Sequence, residues 1–190
     1  SGSEICNLLG RFLLCAMIPA AGFFCAGCRT GSREVVARPA RHSIRSDQLL
    51  ILSDFKLPRD HPLVVELIAL RKQISRTLDL PIQQQVVVVY IFSSELEYRE
   101  YLNTSYPGLP ERRAYFVGTP RELAVYTFWG DRIQEDLRHE YTHGLLHAGL
   151  KAVPLWLDEG LAEYFELPTA DRLRGSPHAA AVRRNLLFGR

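Results

Sequence analysis

The feature that most constrains this chain is an H-E-x-x-H motif, His139 to His143, in a segment whose apolar residues have helical spacing. Residues four apart on an α-helix lie one above the other, about 6 Å apart along the axis. His139 and His143 are therefore predicted to turn their imidazoles toward one metal ion. Glu140 lies on the adjoining face, where it can hold a metal-bound water and accept its proton. The alternative for so short a motif is two surface histidines beside a solvated glutamate.

A hydrolytic zinc site usually has three protein ligands and one open position for water, so a third ligand is needed. The longer H-E-x-x-H-x-x-G-x-x-H pattern would place it on the same helix, but Leu146 and Gly149 occupy those positions. His147 continues the four-residue spacing, but it lies about 12 Å along the axis from His139. One ion cannot be shared over that distance. His147 is therefore predicted to pack against its neighbours or to support a ligand.

Glu159 is the remaining candidate for the third ligand. The motif helix is predicted to end near Gly149, and Pro154 suits the start of a second helix because proline fits the first helical turn. From His143 to Gly149 the first helix rises about 9 Å, and an antiparallel second helix returns about 7.5 Å by Glu159. This return places Glu159 level with His143. The alternative is an ordinary acidic residue near a helix N-terminus.

Glu163 lies one turn beyond Glu159 on the same predicted helix face. It is predicted to accept a hydrogen bond from the outer ring nitrogen of a ligand histidine, His139, and so to fix the tautomer of that ring. The alternative for Glu163 is a carboxylate that is simply solvated.

The two helical segments together resemble a known family. The sequence HEYTH, followed by WLDEGLAEY at residues 156–164, is similar to the gluzincin zinc metallopeptidases, the group of thermolysin and aminopeptidase N. It is most similar to their compact bacterial "peptidase MA-like" relatives. The aminopeptidase N branch has W-L-N-E-G in the second segment, and Asp158 stands here at the position of its Asn. The gap of 15 residues between His143 and Glu159 is shorter than the aminopeptidase spacing.

The resemblance implies a zinc-dependent peptidase that holds one Zn²⁺ ion and uses Glu140 as general base; the implied ligands are His139, His143 and Glu159. An endopeptidase is favoured, because no acidic motif for anchoring a free amine is apparent. In the family, the strand just before the motif helix is a sheet edge that pairs with an extended peptide substrate. The strand from Leu123 to Phe128 is therefore expected to hold the substrate backbone, through Leu123, Ala124, Val125 and Tyr126. The alternative is a strand that only frames the core.

Two other functions stay open at this point. One is a non-catalytic envelope protein that uses the cleft for binding, since no single residue is assigned to stabilise an oxyanion; the candidates are Tyr126, Tyr164 and His178. The other is a zinc hydrolase that acts on a non-peptide amide, such as a cell-wall crosslink. The intact Glu140 argues against a purely binding protein, because a site without catalysis has no need of it.

The composition is that of an ordinary globular protein. The chain is 47% hydrophobic and 23% charged. Its 190 residues are enough for one domain with a hydrophobic core and a tail. The net charge is only +2 and the arginines are scattered, which argues against a dedicated nucleic-acid binder. All four cysteines precede residue 29. The rest of the chain therefore contains neither a disulfide framework nor thiolate metal ligands.

The apolar run from Phe12 to Gly27 follows Arg11 and is interrupted by Pro19. It is short for a membrane-spanning helix but suits an export signal. Small residues just before Cys28 are similar to a bacterial lipoprotein cleavage site. Residues 1–28 are therefore predicted to be an export signal of lipoprotein type, with a cleaved secretion signal or a retained membrane anchor as alternatives. Each of these places the remaining chain outside the cytoplasm, in the cell envelope or secreted.

Residues 29–46 are rich in Arg, Ala and Ser and are predicted to be a linker, with the folded domain at residues 47–190. Hydrophobic periodicity and turn residues predict six elements before the motif helix: Leu49–Phe55, Pro62–Leu78, Gln85–Phe92, Glu95–Leu102, Ala114–Gly118 and Glu122–Trp129. This order of strands and helices predicts an α+β domain. A mixed β-sheet would pack on the H-E-x-x-H helix, followed by an antiparallel ligand-bearing helix, and the resemblance implies a zincin-like arrangement.

Overall fold

One mixed β-sheet of five strands forms in residues 36–80 and 85–168, the part of the chain that the computed structural model describes. The strands are β1 His42–Ser46, β2 Leu49–Ser53, β3 Val87–Phe92, β4 Ala114–Gly118 and β5 Leu123–Phe128. Their order across the sheet is β1-β2-β3-β5-β4. The three inner strands are parallel, and each edge strand is antiparallel to its neighbour.

Four helices accompany this sheet within the described ranges: α1 Pro62–Leu78, α2 Glu95–Ser105, α3 Ile133–Gly149 and α4 Leu155–Glu166. The predicted end of the motif helix at Gly149 is confirmed, and Pro154 is the N-cap residue of α4. The predicted cap of α2 is confirmed as well, since the Ser94 hydroxyl accepts a hydrogen bond from the Glu97 N–H. The predicted α+β class with a mixed sheet is therefore correct.

The two faces of the sheet carry separate hydrophobic clusters. β3 is buried at all six positions, as the continuous β-branched run predicts for a central strand. Val87, Val89 and Ile91 face the cluster formed with α1, α3 and α4. Val88, Tyr90 and Phe92 face a tyrosine-rich cluster under α2. The H-E-x-x-H motif on α3 therefore lies on one face of the sheet, opposite α2.

The sheet begins earlier than the sequence predicts. β1 lies inside the predicted linker 29–46, so the described sheet begins at His42, before the predicted domain start at Asp47. β1 pairs antiparallel with β2 along its whole length. Only Ile44 of β1 is buried, so the strand carries too little apolar alternation to be recognised in the sequence. β1 is therefore stabilised by its pairing with β2, which has more buried residues.

The expectation that β5 is an open sheet edge is wrong. β5 pairs with β3 on one side and with β4 on the other. The residues expected to hold a substrate backbone are at most 5% exposed: Leu123, Ala124, Val125 and Tyr126. The physical reason is the hairpin, because its first strand, β4, takes the outer position and covers the backbone of β5. The edge of the described sheet on this side is β4.

The predicted export signal at residues 1–28, the Phe12–Gly27 run and His178 lie outside the described residues. Within the described ranges, no helix is both long and apolar enough to cross a membrane.

Candidate metal centre

The structure brings the three predicted ligands together. The Nε2 atoms of His139 and His143 are 3.3 Å apart. Oε2 of Glu159 lies 3.6 Å from Nε2 of His139 and 3.8 Å from Nε2 of His143. Ligand atoms that bind a tetrahedral ion at 2.0–2.1 Å are separated by about 3.3 Å, so this triangle has nearly the size that one small cation needs. The three side chains could therefore hold one metal ion.

The close packing of α3 against the sheet fixes the distance of His143 from the sheet. A Cβ atom placed on Gly144, the next residue, would lie 2.6 Å from Cγ1 of Val87 on β3. Only a glycine allows so close an approach of the helix to the strand. The chain then turns after Gly149, and α4 returns alongside α3 to present Glu159. The Glu159 side chain is 46% exposed, so the site is open to solvent on this side.

Each of the two candidate ligand histidines has a carboxylate near its outer ring nitrogen. Nδ1 of His139 lies 2.9 Å from Oε2 of Glu166, and Nδ1 of His143 lies 2.9 Å from Oδ1 of Asp158. A carboxylate accepts hydrogen bonds and does not donate them, so the hydrogen bond with Glu166 favours a proton on Nδ1 of His139. The Nε2 lone pair of His139 then faces the site, as metal coordination requires. The contact between His143 and Asp158 has the distance of an ion pair but not the geometry of a hydrogen bond.

Glu163 is not the partner of His139, which corrects the sequence prediction. Glu166, two helical turns from Glu159, occupies that position. At 100° per residue, Glu166 is rotated only about 20° from Glu159 around the axis of α4, whereas Glu163 is rotated about 40° in the opposite sense. Glu166 also lies further along the axis, where it can reach the far side of the His139 ring.

Asp158 bridges two histidines, a role that the sequence does not reveal. Its Oδ2 atom lies 3.0 Å from Nε2 of His147, while Oδ1 contacts His143. Burial by itself would raise the pKa of the Asp158 carboxyl, but the contacts with His143 and His147 outweigh it and lower the pKa overall. The prediction that His147 supports a ligand is consistent with this contact.

Glu140 lies between α3 and the edge strand β4. Its Oε2 atom accepts a hydrogen bond of 2.7 Å from the N–H of Phe116. Burial raises the pKa of Glu140, and the opposing influences of His139, His143 and the Phe116 N–H reduce this rise without reversing it. A carboxylate with a raised pKa is a better proton acceptor near neutral pH.

Arg138, next to the candidate ligand His139, contacts the C-terminal end of α4. Its side chain is 7% exposed and forms an ion pair of 2.8 Å with Glu66 of α1. The same guanidinium donates hydrogen bonds to the carbonyl groups of Phe165, Glu166 and Leu167 at 2.6–3.0 Å. These are carbonyls that a helix C-terminus leaves without partners. An arginine on the inward face of an amphipathic helix was the available sequence signal for such a role.

A cavity of about 330 Å³ adjoins the candidate metal site. It lies between the residues just before β4 and the N-terminal half of α3. Its charged walls, besides His139, are Arg112, Arg113, Glu135, Asp136, Glu140 and Glu166. A molecule bound in this cavity would therefore contact Glu140.

Tyr126 faces away from the candidate metal centre. It is fully buried on the face of the sheet that packs against α2, and its hydroxyl lies 3.1 Å from the hydroxyl of Tyr106. Tyr164 is 47% exposed on α4. The third candidate from the sequence, His178, is outside the described residues.

The chain matches no protein-family model, and no curated protein is significantly similar to it. The resemblance of the two helical segments to gluzincins therefore remains a prediction. A functional assignment depends on the geometry of the site.

Proposed function

We propose that this protein is a zinc-dependent peptidase. The observation that carries the proposal is the triangle formed by His139, His143 and Glu159, with side-chain ligand atoms 3.3–3.8 Å apart. Glu140 lies on the same helix between the two histidines in sequence, and it faces both the cavity and the sheet edge. A metal triad with a general base beside it is the minimum that hydrolysis by a metal-activated water requires.

Zinc is the proposed ion because of the donor atoms. Two imidazole nitrogens and one carboxylate oxygen form a common catalytic zinc set, with a fourth position left for water. Imidazole ligands suit zinc and the neighbouring transition metals, whereas calcium and magnesium prefer sites made of oxygen atoms. The partial exposure of Glu159 supports an open position, since a purely structural zinc site is closed by a fourth protein ligand.

The proposed reaction divides between the ion and the protein. When bound, zinc supplies a Lewis acid that makes water acidic and polarises a carbonyl oxygen. Glu140 accepts the proton of the attacking water and returns it to the leaving amine, and its raised pKa suits both transfers. Glu166 orients His139 through a hydrogen bond, and the Asp158 carboxylate lies 2.9 Å behind the His143 ring, so both favour rings that direct Nε2 toward the ion.

The edge strand β4 is the proposed support for a peptide substrate. An extended peptide can add to a sheet edge and satisfy its free backbone groups. The hydrogen bond from the Phe116 N–H to Glu140 joins this edge to the proposed general base. A peptide that replaced or extended this contact would bring a carbonyl group close to the site. The predicted export signal at residues 1–28 supports an action in the cell envelope.

A direct experiment compares the full chain with Glu140→Gln. The amide keeps the size of the side chain but cannot accept the proton, so zinc content should stay at one ion per chain. Cleavage of an unfolded protein substrate should fall by a factor of about 100 or more. Glu163→Gln is the matched control, because Glu163 makes no ion pair with either ligand histidine in the described structure.

Two results would contradict the proposal. Equal cleavage by the wild type and by a Glu140→Gln chain that retains its zinc would exclude Glu140 as the base. Bound zinc without cleavage of any peptide or protein by the wild type would favour a binding protein.

A further inference from the structure

We propose that the cavity beside Glu140 binds a carboxylate group of the substrate through the guanidinium of Arg112. This inference rests on the proposed peptidase function, because it names a chemical feature of the peptide that the site would select. The observation that carries it is the state of the charged side chains around the cavity. Among the described residues, the side chain of Arg112 is the one charged wall group that forms neither an ion pair within 4 Å nor a hydrogen bond.

The carboxylates of the cavity already have partners. Asp136 forms an ion pair of 2.8 Å with Arg113, and Glu135 pairs with Arg132 one turn earlier. The two remaining carboxylates have their own contacts: Glu166 to the ring of His139 and Glu140 to the N–H of Phe116. A basic side chain of a substrate would therefore have to displace an existing partner. A negatively charged group would not.

Arg112 is held in place without being neutralised. Its guanidinium carbon lies 5.8 Å from the centroid of the Tyr115 ring, a cation–π distance. The Tyr115 hydroxyl donates in turn to the carbonyl of Pro110, so the ring itself is fixed. Stacking on an aromatic ring leaves the N–H groups at the edge of the guanidinium free. A planar guanidinium of this kind can bind a carboxylate with two parallel hydrogen bonds.

The position of Arg112 relates the cavity to the proposed substrate strand. It lies two residues before β4, whose edge is the proposed support for the peptide backbone. Its positive charge is also among the influences that lower the pKa of Glu140 against the effect of burial. A peptide lying along β4 would therefore present a side chain or its own C-terminus to Arg112. The ligand is either the C-terminal carboxylate of a short peptide or an Asp or Glu side chain near the cleaved bond.

Matched peptides distinguish these two sources. The probes are fluorescent alanine- and phenylalanine-based octapeptides with a free C-terminus, with an amidated C-terminus, and with glutamate or glutamine scanned through the amidated form. We expect kcat/KM of the wild type to be about tenfold higher or more for the carboxylate-bearing member of one such pair. A preference for the free C-terminus identifies the terminal carboxylate, and a preference for glutamate at one position identifies a side chain.

Three variants test the assignment to Arg112. Arg112→Gln should remove the preference, and Arg112→Glu should reverse it, so that the carboxylate-bearing peptide is cleaved less well than its uncharged counterpart. Arg121→Gln is the matched control, since Arg121 is an exposed arginine in the turn at the other end of β4. It should leave the preference unchanged. Zinc content measured for each variant verifies that the site is intact.

Binding measured separately on the zinc-loaded Glu140→Gln chain keeps this inference independent of turnover. The same peptides should bind about tenfold more weakly without their carboxylate, and Arg112→Gln in this background should abolish the difference. If the wild type cleaves nothing, the peptidase proposal fails, and this binding result still decides the inference. Equal binding of carboxylate and amide forms, or a preference that survives in Arg112→Gln, would overturn it.

Discussion

Nδ1 of His139 and Oε2 of Glu166 lie 2.9 Å apart, which joins the first candidate ligand to the last residue of α4. The contact orients the imidazole so that Nε2 faces His143 and Glu159. The site thus depends on both ends of α4, because Glu159 comes from its first half and Glu166 from its end.

Glu166→Gln should weaken zinc binding by about 10- to 100-fold, the usual effect of removing a carboxylate behind a ligand histidine. The amide is a poorer acceptor and leaves the His139 ring less strongly oriented. Competition with a chelator of known zinc affinity measures the change. Glu163→Gln serves as control, and an equal loss of affinity in the two variants would contradict the role of Glu166.

Asp158→Ala should weaken zinc binding more than Asp158→Asn. The alanine removes both oxygens, which contact His143 and His147 at 2.9 and 3.0 Å. The asparagine keeps one acceptor for His143 and loses the second, so it should retain most of the affinity. His147→Gln removes only the outer contact and should resemble Asp158→Asn in the same chelator competition. A greater loss in Asp158→Asn than in Asp158→Ala would exclude this explanation.

Gly144→Ala should lower the free energy of unfolding by about 1–3 kcal/mol, because the added methyl group overlaps Val87. Gly160→Ala on α4 is the matched control, since no atom lies within 4 Å of the position that its Cβ would take. It should be neutral or stabilise the chain by up to about 1 kcal/mol, as alanine favours a helix over glycine. Denaturant unfolding measures both. Combining Gly144→Ala with Val87→Ala should cost less than the sum of the two single changes.

Arg138→Met should lower the free energy of unfolding by about 2–4 kcal/mol, because the carbonyls at the end of α4 and the Glu66 carboxylate lose a buried donor. Glu66→Gln leaves the carbonyl contacts in place and should cost about 1 kcal/mol or less. Denaturant unfolding of the metal-free chain separates this effect from zinc binding. Equal losses in the two variants would show that the ion pair, and not the capping of α4, is what Arg138 contributes.

Much of the fold was predictable because local signals agreed with the packing. The β-branched run of β3 is buried on both faces, and α1 begins and ends where the proline and the apolar stripe predict. The proximity of His139, His143 and Glu159 followed from two helix lengths and one turn. These features depend on residues that are neighbours in sequence or on rigid helices whose rise per residue is fixed.

The features that the sequence did not predict depend on pairing partners distant in the chain. β1 forms because β2 offers it an edge, and β5 is interior because β4 lies outside it. The choice of Glu166 over Glu163 depends on the side from which α4 approaches the His139 ring. The contacts of Arg138 likewise depend on where another helix ends. The spacing of residues within one segment does not predict how that segment pairs or packs with a distant one.

Arg138 and His139 are adjacent in α3. The first residue binds the C-terminal end of α4, and the second contributes its Nε2 atom to the candidate metal site. For protein engineers this sets a boundary, because a truncation before Leu167 would remove one of the carbonyl acceptors of the Arg138 guanidinium. A shift of Arg138 would then also shift the neighbouring His139 imidazole. A change at the C-terminal end of α4 should therefore weaken binding of the proposed zinc ion before it unfolds the domain.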